Sequence, residues 1–315
     1  MRKLIAVAFL GLCVLAEARN SKPITRVQIP CESEYQLLSP RGTQVVVQCK
    51  DHALHLLNIP QGTEQRVFAK EQGANSYVYS PDGRWLAVGF NDGAVEVVPA
   101  TGAGPGKRWQ ADSRRIDALR FLPDGNSLIV GRLNDPAQVW EISGTPAVRA
   151  TLHNDFSGLT ACDVSPDGKL LVTADGDTVI RWYNTTTWQQ LREYRGFKLE
   201  TFGLAFTRDG KQVLASGADP QITVLDAATA EAVRQLPADA GVAYEIDVLN
   251  DGRSAVAVYG DADGVKPPHE LMWNLQSGKA TALRSDPPLT CGRVIRDKFW
   301  VCSAQGKALN VYPYQ

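Results

Sequence analysis

Apolar residues along this 315-residue chain fall in short runs broken by Gly, Pro, Asp and Ser, and nowhere do they keep the 3.6-residue interval of an amphipathic helix. The runs beginning at Gln44, Arg84, Lys169, Lys211 and Ser254 are continuously apolar and rich in small residues, which suits a strand covered on both faces. One apolar segment precedes each of them. Two more follow, a third such as Thr178 to Tyr183 and a fourth, more polar one such as Gln189 to Tyr194. Turn-forming residues lie where hairpins need them. The pattern predicts an all-β chain of four-stranded antiparallel units.

These units repeat. Six related turns end in Gly42, Gly83, Gly125, Gly168, Gly210 and Gly252, separated by 41, 42, 43, 42 and 42 residues, and Tyr79 to Gly83 and Val164 to Gly168 carry the full Ser-Pro-Asp-Gly sequence. Pro sets φ near -65°, Asp caps a backbone N–H, and Gly accepts the positive φ that other residues resist. A seventh unit is visible where the turn motif has decayed: Thr290 to Ile295, Lys298 to Ala304 and Lys307 to Tyr312 supply three strands. The fourth is missing at the C-terminus. Ile24 to Ile29 has no other assignment and can supply it, pairing both ends of the chain in one sheet and leaving no open edge in the ring.

The chain resembles the WD-repeat family of β-propellers across nearly its whole length. Besides the recurring turn, its third strands end in Val139-Trp140, Arg181-Trp182 and Met272-Trp273, where that family places a Trp-Asp pair. Val224-Leu225-Asp226 alone keeps the Asp, and Leu152-His153 is the one echo of the family's Gly-His pair. The family's structural Asp before the third strand is better kept, at Asp51, Asp92, Asp135, Asp175 and Asp219. The resemblance implies a seven-bladed β-propeller of four-stranded antiparallel blades, closed by the N-terminal strand completing the last blade. It also implies a non-catalytic platform for protein binding.

Composition narrows the setting. With 44% hydrophobic residues and 33 Lys+Arg against 34 Asp+Glu, the chain is neither disordered nor carries the broad positive field that draws proteins to nucleic acid. Met1-Arg2-Lys3, an apolar run to Ala16 and the small residues Ala16 and Ala18 follow the order of a cleavable leader, so residues 1–18 are expected to be removed and 19–315 to form one domain. No later stretch is long and apolar enough for a membrane span. The expected setting is therefore the bacterial periplasm or the extracellular space, with another protein of that compartment as partner and the chain monomeric by itself.

Removing Cys13 with the leader leaves an odd number of cysteines, and none of them is spaced for zinc as Cys-x-x-Cys. Cys31 and Cys49 flank the first hairpin of blade one, and Cys291 and Cys302 that of blade seven. Each pair is a candidate disulfide near the ring closure; Cys31 with Cys291 is an alternative connectivity. Cys162 would remain a core thiol. His52 and His55 are expected on opposite faces of an extended segment, not converging on a metal. The turn Asp residues read as caps for backbone N–H groups before they read as a carboxylate ring. Asp261 and Asp263 resemble only half of a calcium loop, and residues 101–108 lack the spacing and following helix of a phosphate loop. No cofactor or catalytic set is expected. Loops joining one blade's fourth strand to the next blade's first carry Lys70, Arg114, Arg115, Asp155, Phe156, Phe197 and Lys198, and the resemblance implies that they share a rim with the Asp turns. With His269 on the longest insertion, these are the candidate partner-binding residues. The competing reading is a propeller enzyme or cofactor-binding subunit with substrate in a central channel lined by first strands.

Overall fold

The computed structural model describes residues 25–314 apart from 69–72, 133–134, 153–157, 220, 238–240, 250, 261–268, 284–290, 296–297 and 306–307. The described residues form 28 strands in seven four-stranded antiparallel sheets, and no helix. Blade one comprises Ser33–Leu38, Gln44–Cys49, Leu54–Asn58 and Glu64–Phe68, running from the centre of the ring to its circumference. Five further blades repeat this order. In the seventh, Cys291–Ile295, Lys298–Gln305 and Ala308–Tyr314 are completed by Thr25–Gln28, with Thr25 opposite Val311 and Gln28 opposite Ala308. The ring is closed as the strand count required.

Period-two alternation assembles the blades. In the second strand of blade four, Leu171 joins the cluster shared with blade three, whereas Val172 and Ala174 join the cluster shared with blade five. Ile129 and Leu214 are divided from their neighbours in the same way, so successive side chains of one strand serve opposite seams. That is why these strands lack a polar face. Trp182 and Trp273, the residues that carried the third-strand resemblance, are fully buried at such seams, and the Trp273 indole donates to the Pro237 carbonyl across one of them (2.7 Å).

The repeated turn keeps one backbone conformation. All six turn glycines hold φ between 63 and 73°. In blade two the Ser80 hydroxyl donates to Asp82 Oδ1 (2.7 Å) and accepts from the Arg84 and Trp85 N–H groups, while Asp82 also caps the Arg84 N–H. Ser165 with Asp167, and Thr207 with Asp209, repeat the pattern. The capping role expected of these carboxylates is observed. The glycine-rich hairpin at residues 101–106 likewise only connects two strands of blade two.

Two features escape the sequence motifs. At one outer-strand position a cation reaches into the next blade: Lys107 Nζ donates to the Ile142, Ser143 and Gly144 carbonyls, Arg192 to that of Ala227, and Arg234 to that of Leu275, while the Arg149 guanidinium lies over the Trp188 ring. In blade four Arg181 is buried between Asp175 (2.7 Å) and Asp177 (2.5 Å).

Replacing Asp175 with Ala leaves Asp177 to neutralise Arg181, so the expected loss is about 3 kcal/mol, the lower end for opening a buried ion pair. A urea unfolding midpoint reads it. The Ser165 hydroxyl and Lys169 N–H hold the Asp167 carboxyl below its ordinary value, and Thr207 and Lys211 do the same for Asp209. A carboxyl depressed in the folded state stabilises it above the unfolded value of about 3.9 and loses that contribution as pH falls through the folded value. Thermal midpoints should therefore drop only below about pH 4. The drop should be shallower in Asp209→Asn.

Candidate functional site

The first strands line a central channel of about 400 Å³, with Leu37, Tyr77, Leu119, Arg120, Cys162 and Phe202 in its wall. Asp163 ties three blades together there, accepting from Arg120 Nη2 of blade three and from the Phe206 N–H of blade five, both at 2.8 Å. Cys162 is a free thiol, half-buried in that wall; burial pushes its pKa up to about 12 against the opposing pull of the Arg120 cation.

Where the first strands enter the channel, five of them among the described residues carry a β-bulge at the same place, one residue after Ser33, Ala74, Leu159, Thr201 and Ala243. A bulge leaves one residue without a cross-strand partner and re-aims its side chain. The bulged positions are Glu34, Asn75, Thr160, Phe202 and Tyr244, each eight residues ahead of its turn glycine; Asp117 holds that position in blade three. Asn75 Nδ2 donates to the Ile116 carbonyl and Thr160 Oγ1 to that of Ala174. Phe202 and Tyr244 instead stack on each other, with ring centroids 5.9 Å apart. Tyr244 is 44% exposed and Leu199, just before the first strand of blade five, 49%. One side of the channel mouth is thus polar and the other aromatic.

The expected rim residues are distributed around this mouth. Arg114 pairs with Asp135 and Arg115 with Asp117 (2.6 Å), over blades two and three. Phe197 is half-buried, edge-on to Tyr194 at 5.5 Å, and the exposed Lys198 gives its backbone N–H to Asp219 Oδ2 (3.1 Å), beside Leu199 and Phe202. Lys70, Asp155, Phe156 and the insertion at 261–268 lie outside the described residues. His269 opens the third strand of blade six opposite Tyr259; its side chain also lies outside the described set.

The rim assignment needs correction in one respect. Antiparallel connectivity puts these loops at the same end as the second-to-third-strand turns of Asp51, Asp92 and Asp219, and at the opposite end from the Pro-Asp-Gly turns, because each strand crosses the ring once. Gly93 accordingly abuts the carbonyls of Asp112 and Arg114, whereas Gly83 faces Arg41 of the preceding blade's Pro-Arg-Gly turn.

Cys31 and Cys49 are disulfide-bonded, with Cα atoms 5.7 Å apart, which excludes the alternative bridge from Cys31 to Cys291. Backbone register sets Cys291 opposite Cys302; their side chains lie outside the described residues. His52 sits in a turn at φ 68°, and His55 on the third strand of blade one gives Nδ1 to Glu64 Oε2 (2.6 Å). Phe202 and Tyr244 were missed because a bulge is not visible as a break in apolar alternation. Their constant offset from the turn glycine was the available signal.

Seven radial sheets around a channel define the class: a seven-bladed β-propeller. Residues 147–184 match the family described as WD domain, G-beta repeat. Sequence relatives include WD repeat-containing protein SL1-17 of Schistosoma mansoni, 24% identical over 47% of this chain and 48% of that protein. Protein groucho of Drosophila melanogaster is 26% identical over 44% of this chain and 19% of that protein. The chain therefore aligns to about half the length of the first relative and a smaller part of the second. A chain in a crystal structure of the mitotic checkpoint complex superimposes with a TM-score of 0.76 at 15% identity, covering 99% of this chain and 96% of that one. The fold is that of a seven-bladed β-propeller, and its degenerate repeats are similar to those of the WD-repeat family.

With its pKa near 12, Cys162 presents little thiolate at neutral pH despite facing the channel. In the folded protein at pH 8 its alkylation, followed by peptide mass mapping, should be at least about a hundredfold slower than that of a free cysteine.

Proposed function

We propose that the chain is an exported, non-catalytic platform that holds a protein partner against the channel mouth over blades five and six. The observation that carries this reading is the change of character around the bulge ring. The same backbone position presents Asn75, Asp117 and Thr160 on one side and the stacked Phe202 and Tyr244 on the other, with Leu199 beside them. Interface cores are enriched in aromatic residues and ringed by charge, and Lys198 and Glu200 flank this patch. The structurally similar chain comes from a crystal structure of the mitotic checkpoint complex, which supports an assembly role. Export is supported by the leader-like order of residues 1–18 and agrees with the Cys31–Cys49 disulfide, since such bonds persist in oxidising compartments.

Leu199→Glu and Tyr244→Glu alter exposed side chains and should leave the thermal midpoint within about 2 °C of the parent. In affinity capture from the extracellular or envelope fraction of the native cell, both should reduce recovery of the partner at least about tenfold, the effect of losing one interface anchor. Arg41→Glu, at the opposite rim, should not. Partner loss on the Arg41 variant with full retention on the other two would refute the assignment of the face.

A further inference from the structure

The Cys31–Cys49 bridge stands at the seam that closes the ring. Cys31 follows the closing strand Thr25–Gln28 after a short bend, and Cys49 ends the second strand of blade one. Around them, Val27, Ile29 and Leu309 from the closing side pack on Val45, Val47 and Leu57 of blade one. His55 shares this place. It lies opposite Val47 on the adjacent strand, so it projects on the same face as Cys49, two residues on from Val47. The two sulfur atoms and an imidazole nitrogen of His55 all lie within 4.8 Å of one another.

We propose that Cys31, Cys49 and His55 bind a zinc ion when the disulfide is reduced, so that one seam is tied covalently under oxidising conditions and by metal under reducing ones. Two thiolates and an imidazole are a borderline-soft donor set suited to zinc, with water or another ligand completing the tetrahedron. Tetrahedral zinc with bonds of about 2.3 Å to sulfur and 2.0 Å to nitrogen sets its donors roughly 3.5 to 3.8 Å apart. Donors already inside 4.8 Å need only small side-chain movements to reach that spacing, and two sulfurs released from their bond must part to about this distance in any case. The orientation of His55 is also provided for: Glu64 Oε2 engages Nδ1 at 2.6 Å and leaves Nε2 as the ligand nitrogen, the carboxylate–histidine arrangement that fixes ring and tautomer at zinc sites.

The chemistry balances in two steps. A dithiol reductant gives two electrons and two protons to the Cys31–Cys49 bond and becomes a disulfide itself, leaving two protein thiols. Zinc then displaces the two thiol protons into the buffer as two Zn–S bonds form, with no change of oxidation state.

Full-length protein reduced with a phosphine under nitrogen and titrated with Co2+ tests this. The expected result is one equivalent bound, with thiolate-to-cobalt charge-transfer bands and the intense visible bands of a tetrahedral ion, both removed by one equivalent of Zn2+ and absent from the oxidised protein. Cys49→Ser should abolish the signal. His55→Gln retains the disulfide, so its folding is verified before reduction; it should weaken Co2+ binding at least about tenfold, and Glu64→Gln by a similar factor. Cys162→Ser and Cys302→Ser should leave the signal unchanged. A reduced chain with native circular dichroism and no charge-transfer band overturns the proposal. So does a band that survives His55→Gln and Cys49→Ser but is lost in Cys302→Ser, or a chain that unfolds on reduction and is not restored by zinc.

Discussion

Every other feature of this molecule depends on second strands that are covered on both faces. A sheet with a solvated side could alternate apolar and polar residues, but Leu171 and Val172 are adjacent and serve different seams, so neither can be polar without exposing a gap between blades. Hydrophobic burial is non-directional and by itself would not stop the stack at seven. Closure does, because only a closed ring covers the outer faces of both terminal blades, and the pairing of Thr25–Gln28 with Ala308–Tyr314 makes that closure part of a hydrogen-bonded sheet.

Closure in turn explains where the polar interactions lie. Blades packed face to face leave backbone carbonyls at their outer turns without sheet partners, and Lys107, Arg192 and Arg234 extend across the seams to those groups from equivalent positions. At the inner edge the first strands have no neighbour on the channel side. Asp163 uses one such free N–H, that of Phe206, to join three blades. The bulges at the strand entrances belong to the same edge, where an extra residue can leave the ladder without disturbing a neighbouring strand. Side chains at these positions are consequently free to differ from blade to blade, and the aromatic pair of blades five and six occurs there.

The fold was legible in the sequence because its determinants are local and repeated. The turn glycines must occupy positive φ, a Ser or Thr hydroxyl, an Asp carboxylate or both beside them cap the amides that follow, and the interval of 41 to 43 residues is the length of one blade. The disulfide was legible as a pair but not as a choice, since Cys31 reaches Cys49 or Cys291 equally well on paper. The candidate site was legible only in outline. Phe197 and Lys198 lie beside the channel mouth, yet Phe197 is turned half inward against Tyr194, and the exposed apolar surface there is carried by Leu199 and Tyr244, with the half-buried Phe202 between them. The outer-strand cations recur at intervals of 42 and 43 residues, but an exposed Lys or Arg looks the same in sequence whether or not a carbonyl from the next blade stands before it.

The sequence by itself determined the all-β class, the number of blades, the strand that closes the ring and the chemistry of each turn, because these follow from side-chain period and backbone φ within a few residues. Only the tertiary structure decided which ends of the strands share a rim, which residues the bulges turn toward the channel mouth, and that His55 faces the Cys31–Cys49 bridge. Those relations join residues of different strands or blades, and are set by register and ring geometry that no local pattern encodes.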